Sequence, residues 1–477
     1  MIPPNSTVPS PARQAPPDEG LLARLGLGRP ELRAWAMYDW AVSSFQTTIQ
    51  VAVFQIFFVS VAAANLPGSR ATQAWANANA IASVLVALAS PILGAISDYA
   101  AAKKRLLATF MLVGVSACAG MFFIERGDYL LATWLYILAT VGATASVVFY
   151  EALLPHICEP GEMDRVSSAG YALGYIGGGV LLALNLAWIL APQAFGLPHG
   201  QGLTPSEQTL PARLAFLSVA IWWLLFSIPI LRRVREPART IEPDERAEGS
   251  IFLAPFVRLG ETVRELRTYR DAFLMLLAFL VYNDGIQTII RMATAYGTEI
   301  GIPSNALTIA VLIVQFVGIP CAFLFGMLAG RIGAKRSVFL GLLLYTAISV
   351  IGYFMKSARD FYLLAVLVGM VQGGTQALSR SLFASMVPAH KSGEFFGFYS
   401  VFEKFASILG PILFSVTIAM TGSSRNAILG VIVFFAVGAA ILSRVDVTAG
   451  RQKAIDAERN VRRVGSAEET IVNGSSG

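Results

Sequence analysis

Seven charged residues stand inside long apolar runs of this sequence, where an ionised side chain is unusual. They are Asp39, Glu151, Asp284, Arg291, Arg380, Glu403 and Lys404. An ionised group at the centre of a bilayer costs about 2.5 kcal/mol or more, so a charge at that depth marks a functional position. Carboxylates and cations in such places can pair with each other, bind a charged solute or carry a proton.

Polar residues at helical spacing extend these charges into four stripes. The stripes are Asp39, Ser43, Gln46 and Gln50; Asp284, Gln287, Thr288 and Arg291; Gln372, Gln376, Ser379 and Arg380; and Tyr399, Glu403 and Ser407, with Lys404 adjacent. Residues at such spacing share one helix face, so the stripes predict a common water-filled cavity. The alternative is that they hydrogen-bond between tightly packed helices. We predict a substrate or proton-coupling role for Asp39, Gln46, Asn283, Asp284, Gln287, Arg291, Gln372, Gln376, Glu403 and Lys404.

Asp284 is the strongest single candidate. It stands in mid-run between Asn283 and Gly285, with Arg291 two turns away on the same face. Two interpretations remain open. A carboxylate at that depth can take up and release a proton, which suits proton coupling. Paired with a cation it stays ionised, and Asp284 and Arg291 then suit the ammonium and the carboxylate of a zwitterion.

These residues need membrane-spanning helices to position them, and the sequence supplies twelve apolar runs. The chain of 477 residues is 55% hydrophobic and 14% charged, against about 25% charged in a soluble domain. A spanning helix needs roughly 20 apolar residues. The runs are 35–60, 72–96, 106–124, 130–153, 166–190, 212–231, 271–296, 305–330, 337–355, 360–386, 394–420 and 426–443. We expect an all-α membrane protein in which helices three, six, nine and twelve, free of the seven charges, face lipid.

Positive charges indicate the orientation of the bundle. With the N-terminus inside, the inner segments hold 27 of the 36 Lys and Arg residues, and the outer loops hold six. Because cytoplasmic loops are rich in Lys and Arg, we expect both termini in the cytoplasm and the protein in the plasma (inner) membrane. The same rule accounts for the net charge of +6 without a nucleic-acid partner.

The chain divides into five expected segments. They are an N-terminal cytoplasmic tail (1–34), a six-helix half (35–231), a cytoplasmic linker (232–270), a second six-helix half (271–443) and a cytoplasmic tail (444–477). We expect the polar C-terminal tail to be largely disordered. Apolar residues recur at helical spacing after Pro255 in the linker, which predicts an amphipathic helix on the inner membrane surface or packed on the bundle.

A basic motif occurs twice and indicates a duplicated unit. Gly94, Lys103 and Lys104 correspond to Gly326, Lys335 and Arg336, each 232 positions later. Equal offsets in equivalent hydropathy positions indicate two parallel six-helix repeats. Gly330 stands where the first copy has Asp98, so we expect an asymmetric inner gate with its acidic anchor in the first half only. The inner-gate candidates are Asp98, Lys103, Lys104, Arg105, Glu151, Arg331, Lys335, Arg336 and Arg380.

Several classes of function lack their motifs. The sequence has no Gly-x-x-x-x-Gly-Lys-Ser/Thr loop for ATP, and its three histidines lack the His-Glu-x-x-His spacing of a zinc protease. The three cysteines are scattered and indicate neither a disulfide nor a metal set. We therefore expect no enzymatic activity, no cofactor and no metal. The expected partners are a small-molecule substrate, protons as a coupling ion and the lipid bilayer, with the protein a monomer.

Several stretches resemble one branch of the major facilitator superfamily, the vacuolar amino-acid effluxer family known from autophagy, and its bacterial relatives. They are Trp35 to Ala41, Gly170 to Gly179, Tyr282 to Gly285, Gln372 to Ser381 and Glu394 to Ser400. The resemblance implies a secondary transporter and, in the fungal members, export of amino acids from the vacuole. Val42 stands where the family usually has Asn, and Ala101 replaces a usual Gly, which puts substrate and gate details in doubt.

The sequence thus predicts alternating access for a small polar solute, with an amino acid as the leading substrate, efflux as the direction and proton coupling through Asp284 and Asp39. One competing hypothesis is an exporter of drugs or other amphipathic compounds, which requires an apolar, aromatic cavity. Another is a non-transporting receptor or scaffold on a transporter fold, with the linker and the tail as partner sites.

Overall fold

A computed structural model of the chain describes residues 20–66, 69–159, 161–238, 268–299, 302, 304–406, 410, 413, 416–417, 420–421 and 424–474. Helices and their connecting turns make up these residues, and no strand occurs among them. The predicted amphipathic helix after Pro255 lies outside the described residues.

Among the described residues, after the short helix Leu21–Arg24, twelve helical segments make up the two halves of the chain and a further helix forms the tail. The first, α1, comprises Pro30–Ser44, the π-helix Phe45–Ala52, Phe54–Phe57 and Phe58–Ala62. The next nine are α2 (Ser69–Tyr99), α3 (Lys103–Gly120), α4 (Tyr129–Ile157), α5 (Met163–Leu190), α6 (Pro205–Arg233), α7 (Arg270–Glu299), α8 (Ser304–Ile332), α9 (Ala334–Phe354) and α10 (Ala358–Ala384). The last three are α11 (Ser392–Phe405), α12 (Ser424–Gly430 and Ile432–Ser443) and α13 (Val447–Gly474).

The apolar runs predicted these helices well. Among the described residues, ten helices are long and apolar enough to cross a membrane, and the bent α1 raises the number to eleven. They coincide with eleven of the twelve predicted runs. The remaining run, 394–420, begins as α11 and is described only in part beyond Phe405. The prediction of an all-α membrane protein is confirmed.

The irregular backbone of α1 was not predicted. Its two parts, Pro30–Ala52 and Phe54–Ala62, meet at an angle of 41°. The N–H of Val53 donates to the carbonyl of Thr48, a π-type bond of 2.8 Å. The hydroxyl of Thr47 bonds the carbonyls of Ser43 and Gly178, and such side-chain bonds compete with the regular helical ladder. Because an apolar run without Gly or Pro gives no sign of this break, the sequence predicts a straight helix.

The helices form two groups with equivalent packing. In the first group α1 packs on α5 and α6, and α4 packs on α2 and α3; in the second α7 packs on α11 and α12, and α10 packs on α8 and α9. The groups meet where α2 packs on α11 and α5 packs on α8. Each contact in one group has its counterpart six helices later, as two parallel repeats require.

The two groups touch at one end of the bundle and separate at the other. The end at which α1 begins and α4 and α10 finish is called the closed end, because residues from the two groups are hydrogen-bonded there. The end that carries the connections after α1, α5 and α9 is called the open end. Large apolar side chains are exposed on α3, α6, α9 and α12, among them Leu112, Leu225, Leu343 and Val433. Comparable side chains are also exposed on α2, α4 and α8, among them Leu88, Trp134 and Phe316, so the lipid-facing set stays a prediction.

The prediction of a largely disordered C-terminal tail is wrong, because residues Val447–Gly474 form α13. Gly450, Ala454 and Val461 are buried along one face of this helix. Their spacing of about three to four residues per turn gives a narrow apolar stripe. The polar composition of the segment concealed that stripe.

Candidate functional site

A cavity of about 1450 Å³ lies between the two groups of helices. It extends from Asp39, Glu151 and Arg380, which form its floor toward the closed end, to Ser60 and Met355 near the open end. This volume exceeds that of a typical small-molecule site, about 300–1,000 Å³. A small solute therefore contacts only part of the wall while the cavity stays open.

Side-chain amides dominate the polar part of the wall. They are Gln46, Gln50, Gln55, Asn79, Gln208, Asn283, Gln287, Gln315, Gln372 and Gln376. Each amide offers both donors and acceptors, so these uncharged side chains can bind the ammonium and the carboxylate groups of a solute. The stripe predicted on α1 thus faces the cavity, as do Gln372, Gln376 and Arg380 of α10 and Tyr399 and Glu403 of α11. Ser379 of the α10 stripe is instead buried and bonds the hydroxyl of Tyr282 between helices, at 2.6 Å.

Arg380 occupies the centre of the floor and joins the two groups. Its side chain is 2% exposed, and Nη1 lies 3.3 Å from Asp39 Oδ2 and 3.8 Å from Glu151 Oε1. Nε donates to the Ser167 hydroxyl and Nη2 to the Ser167 carbonyl, each at 2.9 Å. Two carboxylates and two neutral acceptors therefore share one guanidinium, which offsets the cost of burying its charge.

Aromatic rings enclose the same guanidinium. Its Cζ lies 4.4 Å from the ring centroid of Tyr171, 5.0 Å from that of Trp35 and 5.6 Å from that of Tyr150. Cation–π attraction is stronger when the cation is desolvated. The Tyr150 hydroxyl also donates to Asp39 Oδ2 at 2.9 Å. Arg380, from the second group, is thus held by residues of the first.

A second contact between the groups lies beside the floor. The ring of Tyr175 on α5 fits against two glycines of the second group, Gly318 on α8 and Gly373 on α10. A Cβ on Gly318 would lie 3.1 Å from Tyr175 Cε2, and one on Gly373 would overlap the ring. Glycine at both positions therefore forms the notch that receives this side chain.

Asp98 forms another contact between the two groups at the closed end. Its Oδ1 accepts the N–H of Gly393 at 3.1 Å, and its Oδ2 accepts the N–H of Glu394 at 2.8 Å. Lys103 forms an ion pair with the same carboxylate. The first turn of α11 presents these N–H groups, which have no partner within the helix. Gly330, the counterpart of Asp98, has no atom within 4 Å of a Cβ built on it.

The other basic residues of the duplicated motif have different positions. Lys104 Nζ donates to the carbonyl of Val234 at 2.8 Å, and Lys335 Nζ donates to that of Val445 at 2.7 Å. These two lysines therefore cap the ends of α6 and α12 within their own groups. The exposed residues Arg105, Arg331 and Arg336 lie on the surface of the closed end.

The α7 stripe is placed differently from the prediction. Asn283 and Gln287 line the cavity, and both polar atoms of the Asn283 side chain lack a hydrogen-bond partner among the described residues. Asp284 is fully buried and does not contribute to the lining. The backbone of Asp284 packs against Gly410, since a Cβ built on Gly410 would lie 3.1 Å from the Asp284 carbonyl oxygen. The side chains of Arg291 and Lys404 lie outside the described residues.

Sequence reasoning missed the residues that hold Arg380. Trp35, Tyr150 and Tyr171 lie in apolar runs, where an aromatic residue is usually a packing residue of the core. Their types alone therefore do not indicate contacts with a guanidinium. The one available signal is spacing: Trp35 is one helical turn before Asp39, and Tyr150 is adjacent to Glu151. Glycines at 174, 177 and 178 permit the close packing of α5 on α1, because a Cβ at each would overlap or crowd α1.

Two interlocked six-helix groups around a polar cavity that is closed at one end define a secondary transporter of the major facilitator type. A family model described as "Vacuole effluxer Atg22 like" matches residues 66–455. The chain is 38% identical over 413 residues to the MFS-type transporter YxiO of Bacillus subtilis (strain 168), a match covering 86% of this chain and 94% of that one. The chain belongs to the Atg22-like family of the major facilitator superfamily (MFS).

More distant similarities agree with this assignment. Autophagy-related protein 22 of Yarrowia lipolytica is 27% identical over 316 residues, which cover 61% of this chain and 51% of that protein. The chain thus spans about half the length of this fungal relative. The proton:xylose symporter XylE, bound to 6-bromo-6-deoxy-D-glucose, has a TM-score of 0.64 at 14% identity over 89% of this chain and 96% of its own. That likeness shows the shared fold.

Proposed function

We propose that this transporter moves a small polar solute, with an amino acid as the leading substrate, by alternating access of the central cavity. The observation that carries the proposal is the amide-rich cavity between the groups, with a charged floor at its closed end. Efflux is the proposed direction, supported by the description "vacuole effluxer" of the matching family.

The charges of the wall favour a solute that brings an ammonium group. Among the described side chains of the lining, three are carboxylates, Asp39, Glu151 and Glu403, and Arg380 is the cation. The bonds of Arg380 to Ser167 and to the two floor carboxylates occupy its guanidinium. We therefore expect the amides to bind a solute carboxylate, and Asp39 or Glu403 to bind a solute ammonium.

The floor also suits proton coupling. Asp39 and Glu151 both face the same guanidinium. One of them can take up a proton while the other keeps Arg380 paired, so protonation leaves no uncompensated buried cation. This supports Asp39 as the coupling residue. Asp284, which the sequence favoured, is fully buried and does not line the cavity.

We propose that the closed end faces the cytoplasm and that the protein lies in the plasma membrane with both termini inside. The excess of Lys and Arg in the segments at this end supports the orientation. On this orientation the cavity is open to the outside.

Counterflow into proteoliposomes tests the function. Vesicles loaded with one unlabelled amino acid should accumulate the same labelled compound, and an imposed pH gradient should drive the uptake. Asp39→Asn should abolish the response to the gradient but keep counterflow. Glu125→Gln removes an equal charge from an exposed loop at the open end and should change neither.

Three outcomes would contradict the proposal. Gradient-driven uptake that persists in Asp39→Asn removes Asp39 as the coupling residue. Counterflow confined to amphipathic dyes indicates a drug exporter. Failure of every solute, with normal binding of a partner protein, indicates a receptor or scaffold.

A further inference from the structure

The C-terminal helix α13 lies across the closed end of the second group. Arg451 Nε donates to the hydroxyl of Ser385 just after α10, at 3.1 Å. Lys453 Nζ donates to the carbonyl of Thr268 just before α7, at 2.9 Å. Gly450 lies against Met386, since a Cβ there would be 2.9 Å from the Met386 sulfur. The helix is therefore docked by specific bonds on two sides.

One bond of α13 reaches the segment that closes the cavity. Glu458 Oε1 accepts the N–H of Ala389 at 2.9 Å. Ala389 begins the short 3₁₀ helix Ala389–Lys391, which leads directly into α11. The preceding residue, Pro388, has no N–H, so Ala389 supplies the first backbone donor of this turn.

The residues that follow Ala389 carry the contacts between the groups. The hydroxyl of Ser392 donates to the carbonyl of Ala152 at 2.8 Å, and Nε2 of His156 lies 3.2 Å from the same hydroxyl. Gly393 and Glu394 then donate to Asp98. A rotation of the Ala389–Lys391 turn would move all these donors together, because the turn and α11 are continuous.

We propose that α13 is a positioning element of the closed end, in which Glu458 holds the Ala389–Lys391 turn so that the first turn of α11 meets Asp98. The tail helix thus stabilises the state in which the closed end is shut. Loss of the Glu458 bond should raise the fraction of molecules open at this end.

Distance measurements between the two groups test this proposal. Nitroxide labels at Arg105→Cys and Arg336→Cys, exposed positions at the start of α3 and α9, report opening of the closed end by double electron–electron resonance. Cys118, Cys158 and Cys321 are replaced by Ala. Because a net hydrogen bond changes an equilibrium by about three- to tenfold, Glu458→Ala should raise the ratio of long to short distances by that factor.

Three further variants separate positioning from a general effect of the tail. Glu458→Gln keeps a carbonyl acceptor and should restore the parent distribution. Arg451→Ala undocks α13 at another bond and should act like Glu458→Ala. Asp456→Ala removes an exposed carboxylate of the same helix that bonds only Gln452 and Arg459 in the described structure, and should have no effect.

An unchanged distance distribution in Glu458→Ala, with α13 still helical by circular dichroism, would overturn the proposal. So would equal effects of Glu458→Gln and Glu458→Ala, or of Asp456→Ala and Glu458→Ala. The measurement needs no substrate, so its outcome is independent of which solute is transported.

Discussion

Replacement of Asp98 by Asn should open the closed end, and the structure allows the size of the effect to be worked out. The Asp98 side chain is fully buried, with 0% exposure, and it accepts two N–H groups from the first turn of α11. Asn has the same shape but one acceptor oxygen. Its amide nitrogen would face one of the two N–H donors, leaving that donor without a partner.

Only the bonds that cross between the two groups change the equilibrium between the closed and the open state of this end. Lys103 lies on the same side of the contact as Asp98, so this ion pair can persist when the groups separate. A hydrogen bond to a charged group contributes about 1.5–3 kcal/mol, and Asn weakens one of the two and removes the other. A net loss of about 3 kcal/mol lowers the ratio of closed to open molecules roughly 150-fold.

Alkylation of Cys158 by a membrane-impermeant maleimide, with Cys118 and Cys321 replaced by Ala, measures this ratio. Cys158 lies just beyond the end of α4 and is half-buried, and this burial raises the pKa of its thiol. A raised pKa leaves less thiolate at neutral pH, so the closed state reacts slowly. Opening admits water and returns the pKa toward its ordinary value, so Asp98→Asn should react faster.

The pseudo-equivalent position supplies the control. Gly330→Asp adds a carboxylate to the second copy of the motif, but the N–H of Glu162, counterpart of Glu394, already donates to the carbonyl of Glu159. This variant should therefore react like the parent. Equal alkylation rates for Asp98→Asn and the parent would refute the reasoning, because the closed state would then not depend on the Asp98 bonds.

Four further outcomes follow from the same geometry. Gly373→Ala should displace the Tyr175 ring at a cost of about 1–3 kcal/mol and speed Cys158 alkylation. In a Tyr175→Ala background the same change should have little effect. Equal effects in both backgrounds would show that Gly373 does not form a notch for the Tyr175 ring. Arg380→Lys, with one nitrogen in place of a planar fork, should lose about 2 kcal/mol, or roughly 30-fold in counterflow rate; a normal rate would remove the floor from the transport cycle. Lys335→Met should lower the melting temperature, since a cation at a helix C-terminus contributes about 0.3–1 kcal/mol. It should leave the rate of Cys158 alkylation unchanged. Faster alkylation would show that Lys335 belongs to the inner gate, as the sequence predicts. Asn283→Ala should raise KM because its amide faces the cavity, while Asp284→Asn should act mainly on thermal stability; the reverse pattern would show that Asp284 meets the solute.

The helices, the stripes and the repeat could be predicted because each depends on a property that is local in sequence. Hydropathy gives the runs, and helical spacing places Gln46 beside Asp39 and Gln376 beside Arg380. The offset of the duplicated motif gives two equivalent groups, and the difference between Asp98 and Gly330 indicates which group holds the acidic anchor.

The sequence could not predict how deeply each polar side chain is buried or whether it faces the cavity. Asn283 and Asp284 are neighbours, yet only the first lines the cavity, because a rotation of 100° along the helix decides which side chain faces water. The partners of Arg380 are also beyond sequence reasoning: Ser167 is 213 positions away and Asp39 is 341 away. Lys104 and Lys335 belong to a basic motif at the expected place, but their bonds depend on where α6 and α12 end.

The floor and the Asp98 contact differ in whether their carboxylates keep a cation partner when the two groups of helices separate. When α11 leaves Asp98, Lys103 remains paired with the carboxylate, so that contact can open without a further ion. When Arg380 leaves the first group, Asp39 and Glu151 lose their shared cation and remain as two neighbouring, largely buried carboxylates. Two neighbouring carboxylates cannot both stay ionised there at low cost. On the proposed function, a solute ammonium or a proton replaces the guanidinium, so the floor opens only when it is loaded. The Asp98 contact then sets how often the closed end opens, and the floor sets what must be bound when it does.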